Sequence, residues 1–190
     1  VGRSFPAGRW ALLTALFVSA AAAAQDRLPL CEACHGPGGV SQTAGTPSIA
    51  GQPKLFIENQ LVLFREELRV APQMQAAVNG LTDKEIVRLA EHYAAQPARP
   101  VAEGPADAAQ VKQGLAFAQK NHCGSCHLPD YRGRAQIPRL AGQREDYLVE
   151  SMLAYRDNRR TGGDTIMAAA LYGAADADIR ALAHYLARLR

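Results

Sequence analysis

The pentapeptide Cys31-Glu32-Ala33-Cys34-His35 returns as Cys123-Gly124-Ser125-Cys126-His127, and the two copies use all four cysteines of the 190-residue chain. On one helical turn, residues i and i+3 share a face and residue i+4 stays beside them. Each copy therefore presents two thiols and an imidazole on one side. That set can anchor the edge of a flat macrocycle at two points and place a nitrogen on a metal at its centre. Cys-x-x-Cys-His is the attachment pattern of c-type haem, with the histidine as an axial ligand. Three other uses of paired cysteines explain less. A zinc ribbon holds its two pairs within about twenty residues, whereas here they are separated from Cys34 to Cys123, and zinc gives no reason for a histidine after each pair. A thioredoxin-like redox pair needs a βαβ setting. Two structural disulfides leave both histidines unexplained.

The second half of the chain repeats the first. Ile49-Ala50-Gly51-Gln52 matches Leu140-Ala141-Gly142-Gln143 at an offset of 91, as Phe56, Phe64 and Arg65 match Tyr147, Tyr155 and Arg156. After a two-residue insertion, Met74 matches Met167, and Asp83, Ile86 and Leu89 match Asp176, Ile179 and Leu182. Apolar positions recurring at helical spacing in both halves imply two copies of one supersecondary unit. The stretch Gln96-Pro97-Ala98-Arg99-Pro100-Val101-Ala102-Glu103-Gly104-Pro105 has the composition of an extended linker. Helices are predicted over Lys54 to Arg69, Thr82 to about Ala95, Asp107 to Asn121, Glu145 to Arg156 and Asp176 to Leu189. Thr82 with Glu85 reads as a capping box. Strand signals are nearly absent, so the expected fold is all-α, each unit a small helical bundle around one haem. The expected units are residues 25–96 and 106–190, joined by 97–105.

Residues 1–24 read as a secretory signal peptide. Arg3 and Arg9 open it, an apolar run from Trp10 to Ala24 follows, and Ala22-Ala23-Ala24 precedes Gln25 as a small-residue cleavage site. The run falls short of the roughly twenty residues that span a bilayer. Cleavage after Ala24 leaves Gln25 to Leu30 ahead of Cys31, so the first unit is expected to lack the helix that precedes Cys123. Loss of Arg3 and Arg9 takes the formal charge from +3 to +1, with residues 25–100 at −1 and 101–190 at +2. This near-neutral balance gives no support to a nucleic-acid partner.

A sealed haem iron takes a second axial ligand, usually His or Met. Met74 lies 39 residues after His35, and Met167 lies 40 after His127, both in turn-rich segments. Their equivalence in the repeats makes them the expected ligands. Met152, aligned with Leu61 on an apolar helix face, reads as core. His92 and His184 supply the alternative, a bis-histidine iron, while His122 should point away from the iron that His127 binds. An axial imidazole needs an acceptor for its other nitrogen, and the carbonyls of Pro47 and Pro138 are candidates. Arg65 and Arg156 are candidate partners for the haem propionates.

The order Cys-x-x-Cys-His, Pro-x-Ile/Leu-Ala-Gly-Gln, an aromatic-rich helix ending in Phe/Tyr-Arg, a Met and a last helix ending near Tyr resembles the class I cytochromes c. In tandem it resembles the di-haem cytochrome c4 family, over residues 31–96 and 107–189. The resemblance implies two covalently bound haem c groups held by Cys31, Cys34, His35 and Met74 and by Cys123, Cys126, His127 and Met167. It also implies a pseudo-twofold pair of domains in the periplasm. The implied role is an electron carrier and not an enzyme, with the cytochrome bc1 complex or a dehydrogenase as donor and a terminal oxidase or reductase as acceptor. Two alternatives are an electron-accepting subunit of a complex such as flavocytochrome c sulfide dehydrogenase, and a di-haem peroxidase or thiosulfate dehydrogenase.

Overall fold

The computed structural model describes Gly2 and residues 27–102 and 104–190. The leader read at 1–24 therefore lies, Gly2 apart, outside the described residues, as does any helix ahead of Arg27. The described residues form nine α-helices: α1 (Leu28–His35), α2 (Lys54–Arg65), α3 (Pro72–Val78), α4 (Asp83–Ala94), α5 (Ala108–Lys120), α6 (Cys123–His127), α7 (Glu145–Arg156), α8 (Thr165–Leu171) and α9 (Asp176–Ala187). The one β-type contact among them is an isolated bridge between Arg134 and Ile137, so the all-α expectation holds.

Local chemistry sets the helix ends. The Thr82 hydroxyl accepts the Glu85 N–H and the Glu85 carboxylate accepts the Thr82 N–H, the reciprocal pair read from the sequence. Asp107 caps α5 by accepting from the N–H groups of Ala109 and Gln110. Helix α7 spans the predicted range, but α2 stops at Arg65, four residues short of the expected Arg69. There the chain turns through a left-handed Glu67 (φ 57°). Asn158 does the same (φ 52°) at the equivalent position after α7. The apolar Leu68 that extended the predicted stripe is instead exposed.

The helices pack around two separate apolar clusters. Ile57 and Phe64 of α2 meet Ile86, Leu89 and Tyr93 of α4 in the first. Leu148 and Met152 of α7 meet Ile179, Leu182 and Leu186 of α9 in the second. Helix α5 crosses α9 at Gly114, where a Cβ would stand 2.1 Å from the Ala181 carbonyl oxygen. The linker residues Ala98 and Pro100 lie against Gly51 and Gly142.

The two halves meet along a polar seam whose contacts recur in reverse. The Gln52 side chain donates to the Arg139 carbonyl and accepts from the Arg139 N–H, both at 2.9 Å. Gln143 donates to the Ser48 carbonyl at 2.7 Å and accepts from the Ser48 N–H at 2.8 Å. Gln52 and Gln143 are repeat equivalents, and so are Ser48 and Arg139. A contact of i with j′ matched by one of i′ with j is what a twofold relation requires.

Candidate functional site

Each site begins at a helix end. Helix α1 carries Cys31, Cys34 and His35 towards its C-terminal end, and α6 carries Cys123, Cys126 and His127 in a single turn. None of the four cysteines is joined in a disulfide. Cys31 and Cys123 are half-buried against the two apolar clusters, whereas Cys34 and Cys126 are exposed. Both histidines are buried, with 7% and 4% of their surface exposed. After each histidine the chain leaves the helix at positive φ, at Gly36 (φ 75°, ψ 165°) and Leu128 (φ 69°, ψ 158°).

The loop then returns over the imidazole. Ile49 and Ala50 donate their N–H groups to the Gly39 carbonyl, and Leu140 and Ala141 donate theirs to Tyr131. In the first loop the buried Ser41 N–H donates to the Ser48 hydroxyl at 3.1 Å. This closure brings the Pro47 carbonyl to 2.8 Å from His35 Nδ1 and the Pro138 carbonyl to 2.9 Å from His127 Nδ1. A carbonyl can only accept, so each Nδ1 carries the proton and each Nε2 presents a lone pair. Burial holds both imidazoles below the ordinary histidine range and outweighs the opposing pull of the carbonyl hydrogen bonds. A neutral imidazole fixed in one tautomer by an acceptor is the form that ligates a metal.

Met74 and Met167 lie on the short helices α3 and α8 rather than in the turns that the sequence suggested. Each is half-buried against the cluster that also contacts the first cysteine of its own half, Cys31 or Cys123. Met152 is buried in the second core, as its helical register implied. His184 has no nitrogen to spare: Nε2 accepts the Asp107 N–H at 2.9 Å and Nδ1 faces Glu145 at 3.2 Å. His92 lies edge-on to the Tyr93 ring, and its buried Nε2 has no hydrogen-bond partner among the described residues. The bis-histidine alternative thus narrows to His92. His122 is exposed at the N-terminus of α6.

Arg65 and Arg156 are committed elsewhere. Arg65 donates to the Leu81 carbonyl at 3.0 Å and pairs with Asp83 at 2.7 Å. Arg156 does the same with Ala174 (3.0 Å) and Asp176 (2.6 Å). These are clamps between the end of one helix and the start of the next. The sequence reading missed Ser41, Ser48 and the seam roles of Gln52 and Gln143. The doubled Ala-Gly-Gln was the available signal, but repetition does not say which residue faces which.

Among the described residues no three His, Cys, Asp or Glu side chains converge on a metal site, so the two cysteine pairs do not make a shared zinc centre. Paired thiols at i and i+3, a neutral histidine at i+4 with a lone pair at Nε2, and a thioether on a short helix of the same cluster fit haem c. The cytochrome c family model matches residues 111–190. Cytochrome c4 of Pseudomonas aeruginosa is 30% identical over 177 residues, which cover 87% of this chain and 87% of that one. This chain belongs to the cytochrome c4 family. Its cofactors are accordingly two haem c groups, and its general role is electron carriage. The chain is also 31% identical, over 93% of its length and 88% of the other, to the thiosulfate dehydrogenase electron acceptor of Thiomonas intermedia. The crystal structure of reduced recombinant cytochrome c4 from Pseudomonas stutzeri superposes on 86% of the chain with a TM-score of 0.77 at 28% identity, using 95% of its own length.

Proposed function

We propose that this chain is an exported, periplasmic di-haem carrier that passes single electrons from a bc1-type complex or a dehydrogenase to a terminal oxidase or reductase. Its haem units are residues 25–96 and 106–190, joined by 97–105. Cys31 and Cys34 would anchor the first haem, with His35 and Met74 binding its iron; Cys123, Cys126, His127 and Met167 would hold the second. A bound haem c supplies a one-electron iron couple. The chain's residues supply two buried imidazoles held neutral with Nε2 open, and this observation carries the reading. An imidazole and a thioether on each iron would leave no position open to a substrate, which suits carriage and not substrate chemistry. Methionine sulfur favours the ferrous state and raises the potential.

The mass of the mature protein should equal the chain from Gln25 plus two haem groups. Both ferric haems should be low-spin with a sulfur-to-iron charge-transfer band. Met167→His should lower one midpoint potential while covalent haem content is retained, and His92→Leu should leave both bands intact. A high-spin haem in the native ferric protein would instead point to an enzyme.

The Thiomonas relative favours a second reading, a dedicated electron acceptor for a sulfur-compound dehydrogenase. Gel filtration of native extracts separates the two. A free monomer supports the shuttle, and co-elution with a dehydrogenase supports the bound acceptor.

A further inference from the structure

The peptide group between Pro47 and Ser48 is engaged at both ends. Its carbonyl accepts the Nδ1–H of His35 at 2.8 Å, and its N–H donates to Oε1 of Gln143, from the other half of the molecule, at 2.8 Å. The peptide between Pro138 and Arg139 repeats the arrangement. Its carbonyl accepts from His127 at 2.9 Å, and its N–H donates to Oε1 of Gln52 at 2.9 Å. Each glutamine returns a second hydrogen bond to the carbonyl of the same Ser48 or Arg139, which fixes the amide plane. Both glutamines are 5% exposed, so water does not compete freely for these bonds.

Hydrogen bonds in such a chain polarise one another. A peptide whose N–H is donated to an amide oxygen carries more negative charge on its own oxygen and is a better acceptor. The better the acceptor on Nδ1–H, the more basic the imidazole at Nε2. A more basic axial nitrogen favours ferric iron and lowers the potential. The group that finishes this chain does not belong to the half it tunes.

We propose that Gln143 is a positioning residue for His35, and Gln52 for His127, so that each half of the molecule sets the donor strength of the axial histidine in the other. The proposal rests on His35 and His127 being the axial ligands. A glutamine that merely held the seam together would affect both haems alike, or neither. The relay instead predicts a crossed effect.

The test is a redox titration of the mature di-haem protein, with the two haems resolved by their assigned hyperfine-shifted proton resonances. Gln143→Met removes the acceptor and keeps much of the volume. It should raise the potential of the haem on Cys31 and Cys34 and leave the haem on Cys123 and Cys126 where it was. Gln52→Met should do the opposite. Gln143→Glu keeps an acceptor oxygen at the Ser48 N–H, so it should hold the first potential at or below its native value. A Gln143→Met shift on the second haem, an equal shift on both, or no shift overturns the proposal. Should Gln143→Met fail to mature, Gln143→Glu decides, and a rise in the first potential overturns it. Covalent haem content and the sulfur-to-iron bands of the unmutated protein report separately on the ligand assignment.

Discussion

Leu128 stands where the first half has Gly36, and both leave their helix at nearly the same dihedral angles, 69° and 158° against 75° and 165°. That region is essentially reserved for glycine, and another residue held there costs on the order of 1–3 kcal/mol. The returning Pro138 loop imposes the conformation, since the chain must turn at once if a carbonyl is to reach His127. Leu128→Gly should therefore stabilise the protein by about 1 kcal/mol, once the extra freedom of glycine in the unfolded chain is deducted. A urea midpoint that rises for Leu128→Gly and not for Leu128→Ala would bear this out. At this scale the sequence was informative wherever chemistry demanded a partner. An axial imidazole requires an acceptor, and the two prolines offered carbonyls at matching positions. At Arg65 and Arg156 it offered propionate partners but gave no sign of the aspartates that pair with them. Asp83 and Asp176 lie across a turn of unpredictable path and take both guanidiniums.

At the scale of elements, packing explains a position that propensity does not. Glycine in mid-helix is disfavoured against alanine by about 1 kcal/mol, yet Gly114 lies in α5 where it touches the backbone of α9. Gly114→Ala should gain in propensity and lose more to overpacking, which costs roughly 1–3 kcal/mol. The expected outcome is a lower melting temperature with the second haem still covalently bound. The first residue of α2 and α7 reaches α4 and α9 in both halves, but the partners differ in kind: Lys54 pairs with Glu91, whereas Glu145 faces His184. In the second half the histidine also accepts the Asp107 N–H and so ties α5 to the pair. The capping box of α4 adds a pH dependence. Hydrogen bonds from the Thr82 N–H and hydroxyl hold the Glu85 carboxyl below its usual range. A carboxylate depressed in the folded state contributes stability that is fully present above the unfolded value and is lost as pH falls through the folded one. The gap in melting temperature between the native chain and Glu85→Gln should be widest near neutrality and close on acidification. Helix existence was legible because the apolar stripes are long. The end of α2 was not, because Leu68 continues the helical period into a turn made by the left-handed Glu67.

At the scale of the whole molecule, the offset of 91 residues announced two copies of one unit, but not how they face each other. The hydrogen bonds of the seam run between polar side chains and backbone groups, and such contacts leave no periodic trace in a sequence. Beyond the two glutamines, the Gly45 N–H donates to Asp146 at 2.8 Å, the Val70 N–H donates to the Thr161 hydroxyl at 2.7 Å, and Arg69 reaches the Tyr147 hydroxyl at 3.4 Å. The two buried cores share no member. The principal helix contacts, α2 with α4 in one half and α5 and α7 with α9 in the other, all stay within a half. Hydrophobic burial, the main favourable term in folding, is therefore spent inside each unit, while the seam adds hydrogen bonds worth about 1 kcal/mol apiece net. It follows that the halves should unfold separately. Residues 106–190, exported alone behind a secretory signal sequence, should mature with one haem and unfold cooperatively, because the covalent cofactor staples a small core. The full-length protein should show two denaturant transitions, one of them matching that fragment in slope, since the slope follows the surface exposed. A single transition with the slope of the entire chain, followed at each haem separately, would mean that the seam contributes far more than its hydrogen bonds account for.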